Sequence, residues 1–316
     1  MTRPSPFATV PQTVRWGVIL AVATALISGV SIFVNAIAVK QLPDAAVYTT
    51  LKNGVAAVLL VALALATVRR ADLAKVSRRS WGWLVLIGIV GGSVPFVLFF
   101  TGLAQASAPS AAFIHKTLFV WVALLAVPFL GERLGLLQVG ALGVLLAGQA
   151  LVLTPAGVEW GTGETLIALA TLLWACETIV AKRVLRCAPS GLVGAARLGV
   201  GLVVLAGYLL ATGKAPVVAA LGAEQLGWVA LTGLLLSGYV ATWFAALQRA
   251  PASVVTAILV LGAPVTALLQ VVQTGGLPPI QAVAGQGLIV AAAVALALPL
   301  VRYRQPRHAT VPAGAG

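Results

Sequence analysis

The chain has very little charge for its length. Only 9% of its 316 residues are charged, 60% are hydrophobic, and the mean hydropathy is +1.06. A soluble domain carries roughly 25% charged residues, so this chain has too little polar surface to cover a globule in water. Stretches 55–68 and 134–153 contain no charge at all. Because a bilayer core of about 30 Å needs roughly 20 apolar residues per helix, the composition indicates a membrane protein.

Other absences narrow the function. The apolar runs are continuous and lack the alternation of membrane β-strands, which favours helices. No Gly-x-x-x-x-Gly-Lys-Ser/Thr string occurs, so this chain alone is not expected to use ATP. Two histidines and two cysteines provide neither a His-rich metal site nor a disulfide framework. No Ser/His/Asp set is convincing either. We therefore predict no enzymatic activity, no cofactor and no metal.

Ten apolar segments are predicted to span the bilayer as helices, giving an all-α polytopic membrane protein. Most connections between them are very short and contain Gly, Pro or Asp, so consecutive helices form antiparallel hairpins. No segment is long or polar enough for a soluble domain. The predicted spans are 16–39, 45–67, 82–103, 107–130, 135–153, 163–182, 189–211, 226–247, 251–273 and 279–301.

The basic residues separate by side of the membrane when these spans are used. With the N-terminus on one side, that side receives fifteen Lys and Arg, the other side receives Lys40 and Lys214, and Lys52, Lys116 and Arg197 lie inside spans. Cytoplasmic loops are enriched in Lys and Arg. We therefore predict cytoplasmic tails at 1–15 and 302–316 and a place in the bacterial inner membrane. This topology explains the net charge of +13 without a nucleic-acid partner.

The two halves of the chain, residues 16–153 and 163–301, show an internal repeat. Five spans per half require the second half to insert upside down relative to the first. Such inverted repeats are typical of secondary transporters, whose substrate site lies at the repeat interface near mid-membrane. Offsets of 143 to 147 residues align Thr24 with Thr171, Lys52 with Arg197, Gly88 with Gly233, Gln105 with Gln248, Ser110 with Ser253, and 27–35 with 174–182.

Three features resemble one transporter family. They are Trp174-Ala175, Lys182 eight residues after that Trp, and Leu-Gly-Glu-Arg at 130–133 after the fourth span. The chain resembles the EamA-type members of the drug/metabolite transporter superfamily, and most of all the YddG-type exporters of aromatic amino acids. This resemblance implies ten spans, a central cavity and gradient-driven export of small metabolites. The second half departs from the pattern, with Thr-Gly-Gly at 274–276 where another Gly-Glu is expected.

Polar side chains inside spans are the candidates for substrate contact. A charge at mid-bilayer costs roughly 2.5–3.5 kcal/mol, so such a side chain usually faces protein or a water-filled cavity. His115 and Phe119 are four residues apart and are predicted to share a helix face. Lys52, with Tyr48 on its face, is a candidate for a substrate carboxylate. The structural alternative is that His115 and Lys52 reach the aqueous boundary by extending along their helices.

Glu177 is the only acidic residue well inside a predicted span. It is a candidate for a substrate ammonium or for carrying a coupling proton. The alternative is an ion pair with Lys182 or Arg183 nearer the cytoplasm.

Deep aromatic residues suggest a pocket for a flat organic molecule. Small residues at 91–93 and in 233–238 are expected to leave room beside these rings. An amphipathic aromatic pocket suits an amino acid or an organic cation. The alternative for each ring is ordinary helix packing or lipid contact. The candidates are Phe96, Phe100, Trp174, Tyr239 and Trp243.

Prolines and small residues suggest how the helices move and associate. Pro95 and Pro264 lie mid-span, where proline frees a carbonyl and permits bending, so both are hinge candidates. Spans five and ten lack central charge and are rich in Gly and Ala. Small-residue faces permit close helix contact, which predicts a scaffold role or a homodimer interface for these two spans.

The predicted function is export of small metabolites, with aromatic amino acids favoured, by alternating access between the halves. Spans 1–4 and 6–9 are expected to form the cavity. The alternatives are a facilitator without ion coupling and an exporter of organic cations or other metabolites. A non-transporting membrane enzyme or assembly scaffold is disfavoured, because neither a catalytic cluster nor an extramembrane domain is evident.

Overall fold

The computed structural model describes residues 12–103, 105–106, 108–153 and 160–302, and every regular element within these ranges is helical. Ten apolar helices, labelled α1 to α10, contain most of these residues. Nine are long and apolar enough to cross a membrane, while the apolar part of α5 is shorter, at Leu136–Val152. The prediction of an all-α polytopic fold is confirmed.

Seven of the ten helices are continuous and three consist of two segments. A 3₁₀ turn, Val39–Gln41, follows α1, and short helices Arg70–Ala74 and Ala215–Ala219 lie in two connections. The bounds are α1 Gln12–Ala38, α2 Ala45–Thr67, α3 Arg78–Gly92 and Val94–Leu103, α4 Ala108–Lys116 and Leu118–Leu130, α5 Leu136–Leu153, α6 Thr162–Val184, α7 Ser190–Ala211, α8 Ala223–Arg249, α9 Ala252–Leu259 and Gly262–Thr274, and α10 Ile280–Arg302.

The helices run alternately between two ends of the molecule. At one end, the guanidinium of Arg183 donates to the carbonyl of Phe129 (Nη2 to O, 2.6 Å), which joins the end of α6 to the end of α4. At the other end, Lys214 Nζ lies 2.7 Å from Asp44 Oδ2, which joins the α7–α8 connection to the start of α2. We call the first the basic end, because Arg15, Arg69, Arg133, Arg186 and Arg249 lie there, and the second the opposite end.

The halves pack on each other through pairs of contacts that repeat when the halves are exchanged. Helix α1 packs on α8 as α6 packs on α3, and α2 packs on α8 as α7 packs on α3. A Cβ on Gly88 of α3 would lie 2.4 Å from Val200 Cβ of α7. A Cβ on Gly233 of α8 would lie 2.6 Å from Val55 Cβ of α2. Gly233 and Val200 each lie 145 residues after their counterparts, Gly88 and Val55. The aligned positions therefore make the same packing contact in the two halves.

Two helix breaks lie directly before the candidate hinge prolines. α3 breaks at Ser93, where φ is −140° and ψ −71°, and Pro95 follows in the first turn of the next segment. α9 breaks after Leu259, and Pro264 lies in the first turn after it. Proline is tolerated at the start of a helix because that N–H has no helical partner. The break in α4, at Thr117, has no proline, so proline did not mark all three. Hinge motion itself stays a prediction.

Helices α5 and α10 pack against each other within the chain. A Cβ on Gly148 would lie 2.8 Å from the carbonyl oxygen of Gly285, so glycine is needed for this close approach. Other glycines of the pair, Gly140, Gly143 and Gly287, have nothing within 4 Å of a Cβ position. Part of the small-residue surface is therefore used internally. The homodimer through these helices stays a prediction.

Candidate functional site

Four ring side chains from three helices meet near the middle of the bundle. His115 of α4 lies between Phe99 of α3 and Trp174 of α6, with ring centroids 5.2 and 5.0 Å away. Phe96 meets Trp174 edge-on at 5.3 Å, and Phe99 meets Phe100 at 5.7 Å. Edge-to-face contacts at these separations are favourable for aromatic pairs. We call Phe96, Phe99, His115 and Trp174 the aromatic cluster.

The aromatic cluster lies between the two halves. Phe96, Phe99 and His115 belong to the first half and Trp174 to the second. Trp174 Nε1 donates to the carbonyl oxygen of Gly91 at 3.1 Å, which fixes the indole against α3. Within the described ranges, the buried Nδ1 of His115 has no hydrogen-bond partner. Buried polar atoms normally have one, so this nitrogen is available to a bound molecule.

A buried ion pair lies one helical turn from Trp174, toward the basic end. Glu177 Oε1 of α6 is 3.5 Å from Arg197 Nε of α7, and the two side chains are 2% and 9% exposed. Neither of these two atoms makes a hydrogen bond in the part of the chain that the structure describes. The pair packs on Gly91, where a Cβ would lie 2.5 Å from Glu177 Cγ. The charges are therefore paired while retaining unused hydrogen-bonding capacity.

The alternative for Glu177, an ion pair with Lys182 or Arg183, is wrong, since its partner is Arg197. Lys182 Nζ donates to the carbonyl oxygens of Leu247 and of Ala250, the latter at 2.7 Å, and Arg183 donates to a carbonyl of α4. Helix neighbours on one face are three or four residues apart. Because Lys182 and Arg183 follow Glu177 by five and six residues, they point away from it.

Glycines beside the site bring helices together and leave no room between them. A Cβ on Gly92 would lie 2.1 Å from the carbonyl oxygen of Arg197. Gly201 of α7 faces Gly92 across the same contact, with its Cβ position 2.6 Å from the Gly92 carbonyl oxygen. The expectation that the small residues near position 92 widen a pocket is therefore wrong.

Lys52 and Tyr48 form a separate polar group between α1 and α2. Tyr48 Oη donates to Asn35 Oδ1 at 2.6 Å, and Lys52 Nζ donates to the same oxygen at 3.0 Å. The ammonium also lies 5.1 Å from the centre of the Tyr48 ring. Asn35 in turn donates through Nδ2 to the carbonyl of Ser31 at 2.6 Å. Lys52 and Tyr48 thus both have hydrogen-bond partners within the chain. The sequence did not indicate that Asn35 is the shared partner.

Tyr239 and Trp243 stack along α8, with centroids 6.1 Å apart and planes inclined by 9°. Tyr239 lies within electrostatic reach of both Arg197 and Glu177, whereas Trp243 is 4% exposed within the main apolar core. Tyr239 is therefore near the ion pair, whereas Trp243 packs in the apolar core.

Phe119 does not join the aromatic cluster. It packs in an apolar cluster with Leu145 of α5 and Ile289 of α10. The helix interruption at Thr117 removes the regular register that placed Phe119 on the face of His115. Phe99, in contrast, is part of the cluster and was missed, because it lies in a segment, 94–100, where every residue is apolar and no face stands out.

Glu132 and Lys182, two residues of the family-like motifs, bind the two helix ends that meet between α8 and α9. Gly131 ends α4 at φ 71°, a conformation that suits glycine. Glu132 then accepts hydrogen bonds from the N–H of Ala252 (2.6 Å) and from Ser253 N (3.2 Å) and Oγ (2.5 Å). A carboxylate favours a helix N-terminus and an ammonium a C-terminus. Glu132 at α9 therefore links the two halves at the basic end, and Lys182 links α6 to the end of α8 within the second half.

A family model matches this chain twice and covers nearly all of it. The model is described as the EamA-like transporter family and matches residues 15–154 and 161–298. No curated protein matches. One protein of known crystal structure is 21% identical over 90% of this chain and 98% of its own, with a TM-score of 0.73, which shows the shared fold alone. The chain therefore belongs to the EamA-like transporter family and is a multi-pass membrane transporter of small molecules.

Proposed function

We propose that this transporter exports small metabolites, with aromatic amino acids as favoured substrates, by alternating access between its two halves. The observation that carries the proposal is the aromatic cluster beside a buried ion pair, at the contact between the halves. Helices α3 and α4 of the first half meet α6 and α7 of the second there. Relative motion of the halves would open this contact to one side at a time.

The chemistry of the contact matches an aromatic amino acid in three parts. Rings such as Phe96 and Trp174 offer edges and faces to an aromatic side chain. Glu177 is suited to the α-ammonium group and Arg197 to the α-carboxylate, since each retains a free site for a hydrogen bond. His115 Nδ1 provides a further polar contact. Glu177 follows Trp174 by three residues, so the charges lie one turn from the rings.

The basic end is proposed to face the cytoplasm. Arginines there include Arg69, Arg133 and Arg249, whereas the opposite end has Lys40 and Lys214. The positive-inside rule then places both termini in the cytoplasm of a bacterial cell. Reporter fusions test this orientation: a C-terminal alkaline phosphatase should be inactive and a C-terminal fluorescent protein bright, and the reverse result would contradict it.

Proton coupling is proposed to act through Glu177. Its carboxylate is buried against Arg197, so binding or release of a proton there would change the charge next to the substrate. An uncoupled facilitator is the competing function. Proteoliposomes with an imposed proton gradient distinguish the two, since only a coupled transporter accumulates substrate against its own gradient.

Flux in proteoliposomes tests the substrate. Purified protein should release preloaded labelled phenylalanine or tryptophan faster than protein-free vesicles. Trp174→Leu should lower this flux at least tenfold, because the indole contacts both Phe96 and His115. Trp160→Leu is the matched control, since Trp160 is 64% exposed near the start of the same helix. Absence of protein-dependent flux, or equal flux in both variants, would reject the proposal.

A further inference from the structure

A cavity lies at the opposite end of the molecule, apart from the contact between α6 and α7. Its volume is about 200 Å³, and it is bordered by α2, the second segment of α3, and α7 with the connection that follows it. This is below the roughly 300 Å³ at which drug-sized pockets begin, so it suits one small molecule. The side chains that matter here are Asp44, Thr49, Phe96, Phe100, Tyr208 and Lys214.

The cavity has one carboxylate and one ammonium at its edge. Lys214 Nζ donates to Asp44 Oδ2 at 2.7 Å, and the side chains are 35% and 25% exposed. Asp44 Oδ1 is occupied, since it accepts from the N–H groups of Ala46 and Val47 at the start of α2. In the part of the chain that the structure describes, Oδ2 and the ammonium are bonded only to each other, so a charged molecule that enters between them would replace this one bond.

Both groups are charged at neutral pH. The hydrogen bond to Asp44 raises the pKa of Lys214 above its usual 10.5. Burial alone would raise the pKa of Asp44, but hydrogen bonds from Lys214, Val47 and Ala46 together lower it below 3.8. A zwitterion could thus exchange this one ion pair for two, with its ammonium on Asp44 and its carboxylate on Lys214.

The cavity also contains a polar group without a partner. Thr49 is 2% exposed, and across the described ranges its Oγ1 makes no hydrogen bond. The neighbouring Thr50 shows the usual arrangement, donating to the carbonyl of Ala46 at 2.8 Å. A buried hydroxyl without a partner is uncommon. Thr49 borders the cavity, so a rotation of its side chain would turn this hydroxyl toward a polar atom of a ligand there.

Aromatic rings line the cavity and connect it to the central site. Phe96, Phe100 and Tyr208 border the space. Phe96 also meets Trp174 of the aromatic cluster edge-on at 5.3 Å. Phe100 likewise borders the space and meets Phe99 of the cluster at 5.7 Å. The cavity and the proposed transport site therefore share a wall made of the Phe96 and Phe100 rings.

We propose that this cavity is a second binding site for zwitterionic amino acids, on the side to which substrate is released. Asp44 binds the α-ammonium, Lys214 the α-carboxylate, and Phe96 and Phe100 the side chain. This inference takes its ligand class from the function proposed above. It adds a site that an exported amino acid occupies after it leaves the aromatic cluster.

Binding stoichiometry in the full-length protein tests the site. Equilibrium dialysis of detergent-purified protein should show two labelled L-phenylalanine molecules per chain. The double variant Asp44→Asn/Lys214→Gln should bind one fewer, while Trp174→Leu keeps the molecule that the double variant loses. Asparagine preserves the helix cap that Asp44 provides, so the double variant retains the start of α2. Unchanged stoichiometry in the double variant would overturn the second site.

A measurement on the unmodified protein gives an independent test. Residue-resolved mass spectrometry of acylated protein should show Lys214 reacting at least threefold more slowly with saturating phenylalanine present. N-acetyl-phenylalanine amide, which lacks both charges, should give no protection, and equal protection by the two would overturn the proposal. Failure of the proposed export function gives a different result: no flux, with protection of Lys214 retained.

Discussion

The ion pair of Glu177 and Arg197 gives a quantitative prediction. Its two atoms are 3.5 Å apart in surroundings that leave both side chains less than a tenth exposed. At an effective dielectric constant of about 20, this separation corresponds to an attraction of about 5 kcal/mol, against which desolvation acts. Removing one partner leaves the other charge buried alone, which typically costs about 3–5 kcal/mol. We therefore expect Glu177→Gln to lower the free energy of unfolding by about that amount.

The double variant Glu177→Gln/Arg197→Gln should recover most of the loss, because two neutral amides of similar size can bond to each other. Stability would be measured by thermal and chemical unfolding of purified protein, with Glu224→Gln, an exposed acid at the start of α8, as control. If Glu177→Gln is as stable as the unmodified protein, a charged pair is refuted.

A transport assay on the double variant shows whether Glu177 and Arg197 stabilise the fold or bind the substrate. If Glu177 and Arg197 only stabilise the contact between α6 and α7, the stable double variant should export phenylalanine normally. If they bind the charged groups of the substrate, as proposed, it should be folded and at least tenfold slower. Wild-type rates in the double variant would remove both residues from the site.

Three further predictions concern packing, the link between the halves, and pH. Gly88→Ala should reduce stability by about 1–3 kcal/mol relative to Gly82→Ala, whose Cβ meets nothing within 4 Å; equal melting temperatures would contradict the close contact of α3 with α7. Glu132→Gln should weaken the cap on α9 by about 1–2 kcal/mol and increase thiol labelling at the basic end, and unchanged labelling would count against such a link. The pKa of Asp44 is lowered and that of Lys214 is raised in the folded protein. The stability that this ion pair contributes is therefore lost only when the pH falls through the pKa of Asp44 or rises through the pKa of Lys214. Unfolding measurements should show no change in that contribution between about pH 5 and pH 9.

The sequence predicts the helices well because each one depends on local composition. Apolar runs and short connections are sufficient to place ten helices, and the aligned positions of Gly88 and Gly233 indicate the repeated packing that the structure shows. The break at Thr117 could not be predicted, since neither proline nor glycine marks it. There the Thr117 hydroxyl donates to the carbonyl of Ile114 at 2.6 Å, an interaction that many helical threonines also make without a break.

The candidate site is predicted in part. His115, Trp174 and Phe96 could be identified as candidates because each is an unusual or bulky residue deep in its span, and the structure brings both His115 and Phe96 against Trp174. The partner of Glu177 could not be inferred, because Arg197 lies on the next helix and side-chain spacing within one helix says nothing about rotation between two. Such pairs depend on how each helix is rotated about its own axis relative to its neighbour. Here the close contacts that Gly88 and Gly92 of α3 make with α7 limit that rotation.

The carboxylate of Glu132 has no counterpart in the other half. Gly275 repeats the left-handed turn of Gly131, with φ 68° against 71°, but Gly276 stands where the second carboxylate would be. In an alternating-access cycle, two identical halves would make the inward-open and outward-open states mirror one another and have equal energy. The halves of this chain differ, and the unmatched carboxylate is one of those differences. In the alternating access proposed above, Glu132 would favour the state in which the ends of α4 and α9 meet at the basic end, so a change at this side chain would shift the balance between the two states.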